Sequence, residues 1–257
     1  MTNIHPTAII SNKAEIGSNV SIGANTIIED DVRIGNNTEI RSSVVIANGA
    51  TIGNDCRIYH GAVISTEPQD LKYKGEKTQV FIGDRTVIRE YATVNRATVA
   101  TGKTIVGEDC LLMAYIHVAH DCRLGNNIII SNVTQLAGHV SIEDYVTVGG
   151  VAKIHQFTNI GSHSMIGADV KLVKDVPPYT MVGSNPPRID RLNIIGLKRR
   201  NFSKEVIKEI DNFYRTILWS KYNITHGLRK YEENNEVIPE IQHCIDFIKK
   251  SERGIYK

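Results

Sequence analysis

Residues 4–34 read IHPTAIISNKAEIGSNVSIGANTIIEDDVRI, and isoleucine falls at positions 4, 10, 16, 22, 28 and 34. The spacing of six continues through Ile40, Ile46, Ile52, Ile58 and Ile64. It resumes at Ile82 and carries an aliphatic or alanine at each sixth place, Ala100 included, as far as Leu172. Asp70 and Glu76 break it. Six is neither the helical period of 3.6 nor the strand period of 2. It is the period of a hexapeptide solenoid, a parallel β-helix. The place two before each aliphatic is also small or apolar (Ala8, Ala14, Val20, Thr26), and Gly often follows the aliphatic (Gly17, Gly23, Gly35, Gly53). Each hexad therefore predicts a short strand with two inward residues and then a turn, where Gly or Asn (Asn36, Asn37, Asn126, Asn127) supplies positive φ. Three hexads close a coil of about 18 residues that stacks at ~4.8 Å on the next, giving about nine or ten coils. Aliphatic ladders fill such a prism, which fits an aromatic content of 6%. An ordinary β-sandwich varies its strand lengths and would lose this register within a few turns.

The 257 residues leave room for one solenoid and a small second unit. A net charge of +2 gives no field for nucleic acid. With no apolar run long enough to span a bilayer and no charged-then-apolar leader, the sequence predicts a soluble, cytoplasmic protein. Cys56, Cys110 and Cys122 occupy the small inward slot of a hexad and read as packing residues. Cys244 lies in the tail, and without a CxxC pair structural zinc is not expected. The repeat stops near Pro177–Pro178, because Pro lacks the N–H that a central strand donates. The predicted division is a β-helix over 1–190, with a protruding loop at 65–79, and an α-helical C-terminal domain over 191–257. Ser203 is placed to N-cap a helix and Phe202 to staple against Ile207, while Ile241, Ile245 and Ile248 mark a last helix.

The departures from the repeat carry the chemistry. Residues 65–79 (STEPQDLKYKGEKTQ) form a polar loop on a rigid scaffold, a common place for function. A shorter excursion lies near 96–103 and reads equally well as a tolerated surface insertion. Within the repeat stand His117, His120, His139, His155 and His163. A step of about 18 residues moves one coil along at the same angle, so residues far apart in sequence become rungs about 5 Å apart. His120 thus falls beside Gly138 and then Gln156, Asp121 beside His139, and His117 beside Gln135 and then Lys153. These are the parts of a general-base site: an imidazole that titrates near neutrality, Asp121 or another acceptor to orient it, and the Gly138 amide to donate to an oxyanion. No Ser or Cys pairs with a base, which favours direct transfer over an acyl-enzyme.

At these residues the chain resembles the UDP-N-acetylglucosamine O-acyltransferases of lipid A biosynthesis. The segments that carry the resemblance are HVAHDC (117–122), LAGHV (136–140), IHQF (154–157), DVPPY (175–179), QDLKY (69–73) and GLKRRNFS (196–203). The resemblance implies a left-handed coil and transfer of a 3-hydroxyacyl group from acyl carrier protein to the glucosamine 3-hydroxyl of UDP-N-acetylglucosamine. It further implies a cytoplasmic homotrimer with active sites between subunits, and no cofactor or metal. Carried over residue by residue, His120 is the general base, Asp121 its neighbour and Gly138 the oxyanion donor. Asp70 and Lys72 contact substrate from the loop. His117, His139, His155 and Gln156 line the pocket. Asn193, Arg199 and Arg200 lie near the uridine and phosphates, where guanidinium forks suit phosphate oxygens; Lys198–Arg199–Arg200 also fits attraction of the acidic carrier protein. Ile195 stands where some members carry an acid that touches the ribose. Ala168 stands at the acyl-length ruler, one methyl larger than the Gly of long-chain members, which implies chains at or slightly below the longest.

Three rivals make different demands. The related N-acyltransferase carries an extra domain before its solenoid, whereas here hexads begin at Ile4. A γ-type carbonic anhydrase needs three neutral histidines around zinc, for which His117, His120 and His139 are the candidates. A non-catalytic solenoid needs none of the histidines.

Overall fold

A computed structural model describes residues 2–257. Strands of two to five residues stack into three sheets of eleven, nine and eight strands. As far as Lys171–Leu172, successive strands of the chain go to successive sheets, so each sheet takes every third strand. The pairing is parallel from coil to coil: Asn3 pairs with Ser21 and Ile9 with Ile27. The aliphatic of each hexad points into the prism, and Ile58, Ile64, Ile82, Ile88 and Leu112 have no exposed surface. The small slot is inward too, with Cys56 and Cys122 fully buried. Burial pushes the Cys122 thiol up to about 12 and that of Cys110 to about 11, as befits packing residues rather than nucleophiles.

Two coils are longer than the rest. A regular coil pairs Ser21 with Glu39, three hexads on. Arg57 instead pairs with Val87, five hexads on, and Thr93 with His117, four hexads on. The first coil thus gains two hexads and the second gains one. Each gain is a whole number of hexads, so the inward positions return in phase, and that is why the period survives both insertions. Ala100 is the accident of this arithmetic. It falls on the sixth-place lattice but lies exposed in the second excursion and fills no core slot.

The corners depart from the expected turn chemistry. Positive φ belongs to the third residue after the aliphatic, such as Asn19, Asn37 and Asn127, and not to Asn36 or Asn126. The Gly that directly follows the aliphatic is not in the left-handed region either. It is there for room. A Cβ on Gly35 would stand 2.6 Å from the carbonyl carbon of Gly53 one coil away. Asn36 has a different task, its Oδ1 accepting the Ser18 N–H at 2.8 Å; Asn54 does the same for Asn36 at 2.8 Å and Asp84 for Asn54 at 2.7 Å. This side-chain ladder satisfies turn amides that the sheets leave unpaired.

Parallel stacking ends with Thr180–Gly183, against which Arg188–Leu192 turns back antiparallel. Four helices follow: α1 (Ile194–Arg199), α2 (Lys204–Ile217), α3 (Ile224–Asn234) and α4 (Pro239–Lys250). Ser203 caps α2 by accepting the Val206 N–H. Phe202 packs its ring edge-on to His163 and Tyr179. The Tyr214 hydroxyl, fully buried, donates to the Pro178 carbonyl at 2.8 Å and ties α2 to the last coil.

Gly35→Ala is expected to lower stability by about 1–3 kcal/mol, the usual penalty of overpacking against backbone. Gly167→Ala is the control, because its Cβ would meet nothing nearer than 3.4 Å. Thermal melts of the two variants compare them directly, and equal midpoints would reject the steric account of the glycine ladder.

Candidate active site

Both excursions and the histidine pair leave the prism at one corner, between the nine-stranded and the eight-stranded sheet. The first runs from Val63–Thr66 to Gln79–Ile82, the second from Thr93–Asn95 to Lys103–Val106, and on the next coil His120–Asp121 joins His117–Val118 to Arg123–Leu124. Asp121, His139 and Phe157 are the left-handed residues of that corner on three successive coils. His139 stacks on Phe157 with ring centroids 4.5 Å apart, and His120 meets His139 edge-on at 5.3 Å.

His120 Nδ1 donates to Asp121 Oδ2 at 2.7 Å. A carboxylate only accepts, so the Nδ1 proton is held there and Nε2 of the neutral ring keeps its lone pair. The Asp121 side chain is fully buried. Burial pulls its carboxyl up, but hydrogen bonds from Thr101, His120 and Thr98 outweigh that and hold it below the ordinary carboxylate range. Thr98 donates through both N–H and Oγ1, as does Thr101, while the Thr104 hydroxyl accepts the Asp121 N–H at 2.9 Å. The second excursion is thus a cradle for Asp121, a role that its sequence did not disclose.

Gly138 lies against the imidazole of His120: a Cβ there would come within 2.6 Å of Cε1 and 2.8 Å of Nε2. Its N–H meets no acceptor among the described residues, whereas the amides on either side, of Ala137 and His139, bond to the neighbouring coils. An open groove of about 430 Å³ runs from this corner across the nine-stranded sheet. It is lined by His117, His120, Gly138, His155 and Gln156, with Gln135, Lys153 and Lys171 continuing the His117 ladder and Gln69 entering from the first excursion. His117 Nδ1 is bonded to Thr93 Oγ1 at 2.7 Å; burial, then the charge of His120, shift its pKa down.

Other sequence candidates lie elsewhere. Lys72 is exposed and Asp70 half-buried, the Asp70 carboxylate accepting the Lys72 N–H at 2.9 Å within the loop. The loop's base is pinned by Arg96, which donates to the Tyr73 hydroxyl and the Ser65 carbonyl. Ala168 is exposed at the corner between the eleven- and nine-stranded sheets. Asn193 is buried as the N-cap of α1, accepting the Gly196 N–H and donating to the His163 carbonyl at 2.8 Å. Arg200 covers the Tyr145 ring at 4.9 Å, and Arg199 is exposed on α1. Tyr145 and His163 stack at the third corner, so Asn193 and Arg200 and the His120 pair occupy opposite edges of the eight-stranded sheet. His163 belongs to that stack and not to the groove. The three-histidine set does not converge either: the side chains whose ligand atoms lie within 4.8 Å of one another are His120, Asp121 and His139, with His117 apart.

Residues 175–256 match the family model described as Udp N-acetylglucosamine O-acyltransferase, domain 2, and residues 31–66 match that of the bacterial transferase hexapeptide, six repeats. The chain is similar to the acyl-[acyl-carrier-protein]--UDP-N-acetylglucosamine O-acyltransferase of Chlorobium phaeobacteroides, 58% identical over 99% of this chain and 97% of that protein. The enzyme of the same description from Chlorobaculum parvum is 56% identical over the same shares. The solved UDP-N-acetylglucosamine acyltransferase of Bacteroides fragilis superposes with a TM-score of 0.97 at 44% identity, covering 98% of this chain and 99% of that one. The coil is the left-handed β-helix of these proteins.

Removing the Thr101 hydroxyl as Thr101→Val is expected to cost about 1.5–3 kcal/mol at neutral pH, the value of a hydrogen bond to a buried charge. Because folding holds the Asp121 carboxyl below its ordinary value, its contribution is complete above about pH 4 and is lost as pH falls through the lower folded value. Denaturant unfolding across pH therefore should show the deficit shrinking in acid; a deficit that stays constant would disconnect Thr101 from the carboxylate.

Proposed function

The chain belongs to the UDP-N-acetylglucosamine O-acyltransferase family, the acyltransferases of lipid A biosynthesis, and from that premise we propose direct acyl transfer with His120 as general base. The acyl donor is acyl carrier protein, carrying its chain as a thioester, and the acceptor is the glucosamine 3-hydroxyl of UDP-N-acetylglucosamine. His120 Nε2 takes the hydroxyl proton as the oxygen attacks the thioester carbonyl carbon. The Gly138 N–H donates to the oxyanion of the tetrahedral intermediate. Collapse forms the ester, breaks the carbon–sulfur bond and returns the proton from His120 to the departing thiolate. The observation that carries this reading is the His120–Asp121 pair at 2.7 Å, with the imidazole lying against Gly138, whose N–H meets no acceptor among the described residues.

Asp70, Lys72, His117, His139, His155 and Gln156 bind substrate in this reading, and Asn193, Arg199 and Arg200 hold the nucleotide. The last three stand one sheet away from His120, so a complete site takes them from another copy of the chain. A homotrimer with sites between subunits meets that demand. The exposed ridge of Tyr91, Tyr115, Val133 and Val151 at the remaining corner offers apolar surface for assembly. Cytoplasmic residence is part of the same proposal; no helix among the described residues is long and apolar enough to cross a membrane.

His120→Ala is expected to lower turnover by about 10²–10⁴-fold, the range for loss of a general base, with the assembly intact by light scattering. Arg200→Ala should also be impaired. Mixing the two variants under conditions that exchange subunits should restore activity well above either parent, because some sites then draw His120 and Arg200 from different chains. Activity that stays at the parental level would place both residues of a site in one chain.

Ala168 sets acyl length in this proposal, at the edge of the nine-stranded sheet far from His120. Ala168→Leu should move the preferred acyl chain to a shorter one in a competition assay with carrier proteins of graded chain length. An unchanged preference would remove Ala168 from the ruler.

A further inference from the structure

One side chain from the far end of the sequence reaches His155, a residue of the groove wall. The last residues run back along the solenoid: Asp175 N–H donates to the Gly254 carbonyl at 3.0 Å, and Asp175 bridges Ile255 in parallel. The Tyr256 hydroxyl accepts the Val173 N–H at 2.7 Å, and Ser251 Oγ donates to Asp175 Oδ2 at 2.7 Å. This strap holds Arg253 between two acceptors. Its Nε donates to the Val173 carbonyl at 3.1 Å, and its Nη2 lies 3.2 Å from Nδ1 of His155.

A guanidinium donates, never accepts, and keeps its proton at any pH the protein survives. In that contact Nδ1 of His155 is therefore the acceptor and is unprotonated, and the ring proton sits on Nε2. Nδ1 also lies 3.1 Å from the Gln156 carbonyl, which only accepts and needs an Nδ1–H. The two contacts are mutually exclusive, and the ring cannot take a second proton without turning an N–H toward a cation.

We propose that Arg253 is a positioning residue that fixes His155 as the neutral Nε2–H tautomer, so that His155 offers a hydrogen-bond donor to an oxygen of the groove-bound substrate. His120 is set the opposite way: the Asp121 carboxylate takes the Nδ1 proton and leaves Nε2 a base. Two imidazoles lining one groove are thus given opposite roles by the sign of the charge behind them. The tautomer stands on contacts alone; the substrate contact rests on the acyltransferase reading above.

The test uses the full chain labelled with ¹⁵N-histidine at neutral pH, with ring resonances of His155 identified by their loss in His155→Gln. The wild type is expected to show a neutral Nε2–H ring. Arg253→Met should move it toward Nδ1–H, because the Gln156 carbonyl becomes the remaining partner. Lys257→Met, which removes a nearby cation that touches Tyr222 and not His155, should not. In kinetics Arg253→Met should raise KM for one of the two substrates on the order of tenfold with a smaller change in kcat, as for one lost hydrogen bond, and Arg253→Lys should recover part of it. A wild-type ring that is protonated or Nδ1–H, or a tautomer indifferent to Arg253→Met, overturns the proposal. A tautomer that shifts while neither KM moves overturns its substrate half. Absence of any acyl transfer by the wild type would instead sink the functional reading and leave the tautomer result standing.

Discussion

Everything in this molecule depends on lateral backbone pairing between coils that return to the same angle. A strand of two residues has no stability of its own, and it persists because it is hydrogen-bonded on both sides by its neighbours one coil away. The pairing fixes phase: Val63 lies over Val45 and under Thr93, whatever the chain does between. Insertions are therefore tolerated where they leave at a corner and return in register. The two that occur add whole hexads, and an insertion of odd length inside a strand would instead turn the inward aliphatics outward.

The corners offset a real conformational cost. Asn37, Tyr91, His139 and Phe157 all take left-handed backbone, which L-residues adopt at about 1–2 kcal/mol. Stacking repays it. Tyr91 lies on Tyr115 at 5.2 Å, His139 on Phe157 at 4.5 Å, and Tyr145 on His163 at 4.9 Å. A corner also projects its side chains away from the core, so polar residues gather there without burying an unpaired charge. The proposed site lies at the one corner from which both long excursions depart, and the second of them folds its Thr98 and Thr101 donors onto Asp121.

What can be read from the chain follows that division between lattice and exception. The hexad discloses the fold, and the step of three hexads brings His120 to Gly138 and His117 to Gln135 and Lys153, as the pairing bears out. Off the lattice the same reasoning loses its ruler. It keeps Ala100 in register by coincidence and leaves the Thr cradle looking like surface. It assigns the turn glycines a dihedral role, when the need at Gly35 and Gly53 is for room, because the close approach of one coil to the next is not a property of any local stretch. The α3 segment is also hard to see: Leu228 and Tyr231 are its buried anchors, and Gly227 interrupts the helical pattern between them and the N-cap Asn223. Arg253 and His155 are far apart in the chain, and only the strap makes them neighbours.

The five histidines show why composition alone cannot assign roles. Each has the same ring and the same intrinsic titration, and the partner behind the ring decides what it does. Asp121 makes His120 a base. Burial, then the charge of His120, shift the His117 pKa down, and Thr93 holds its Nδ1. Burial, then the charge of Arg200, push His163 down to about 4, so it serves as an uncharged plate between Tyr145 and Tyr179. His139 stacks on Phe157 with Nε2 3.7 Å from the Asp121 carboxylate that already serves His120. His155 faces a cation. A rigid solenoid is suited to this, because the partners sit on backbone that pairing holds in place before any substrate arrives, and the cost of arranging acid, base and donor is met during folding and not at the moment of reaction.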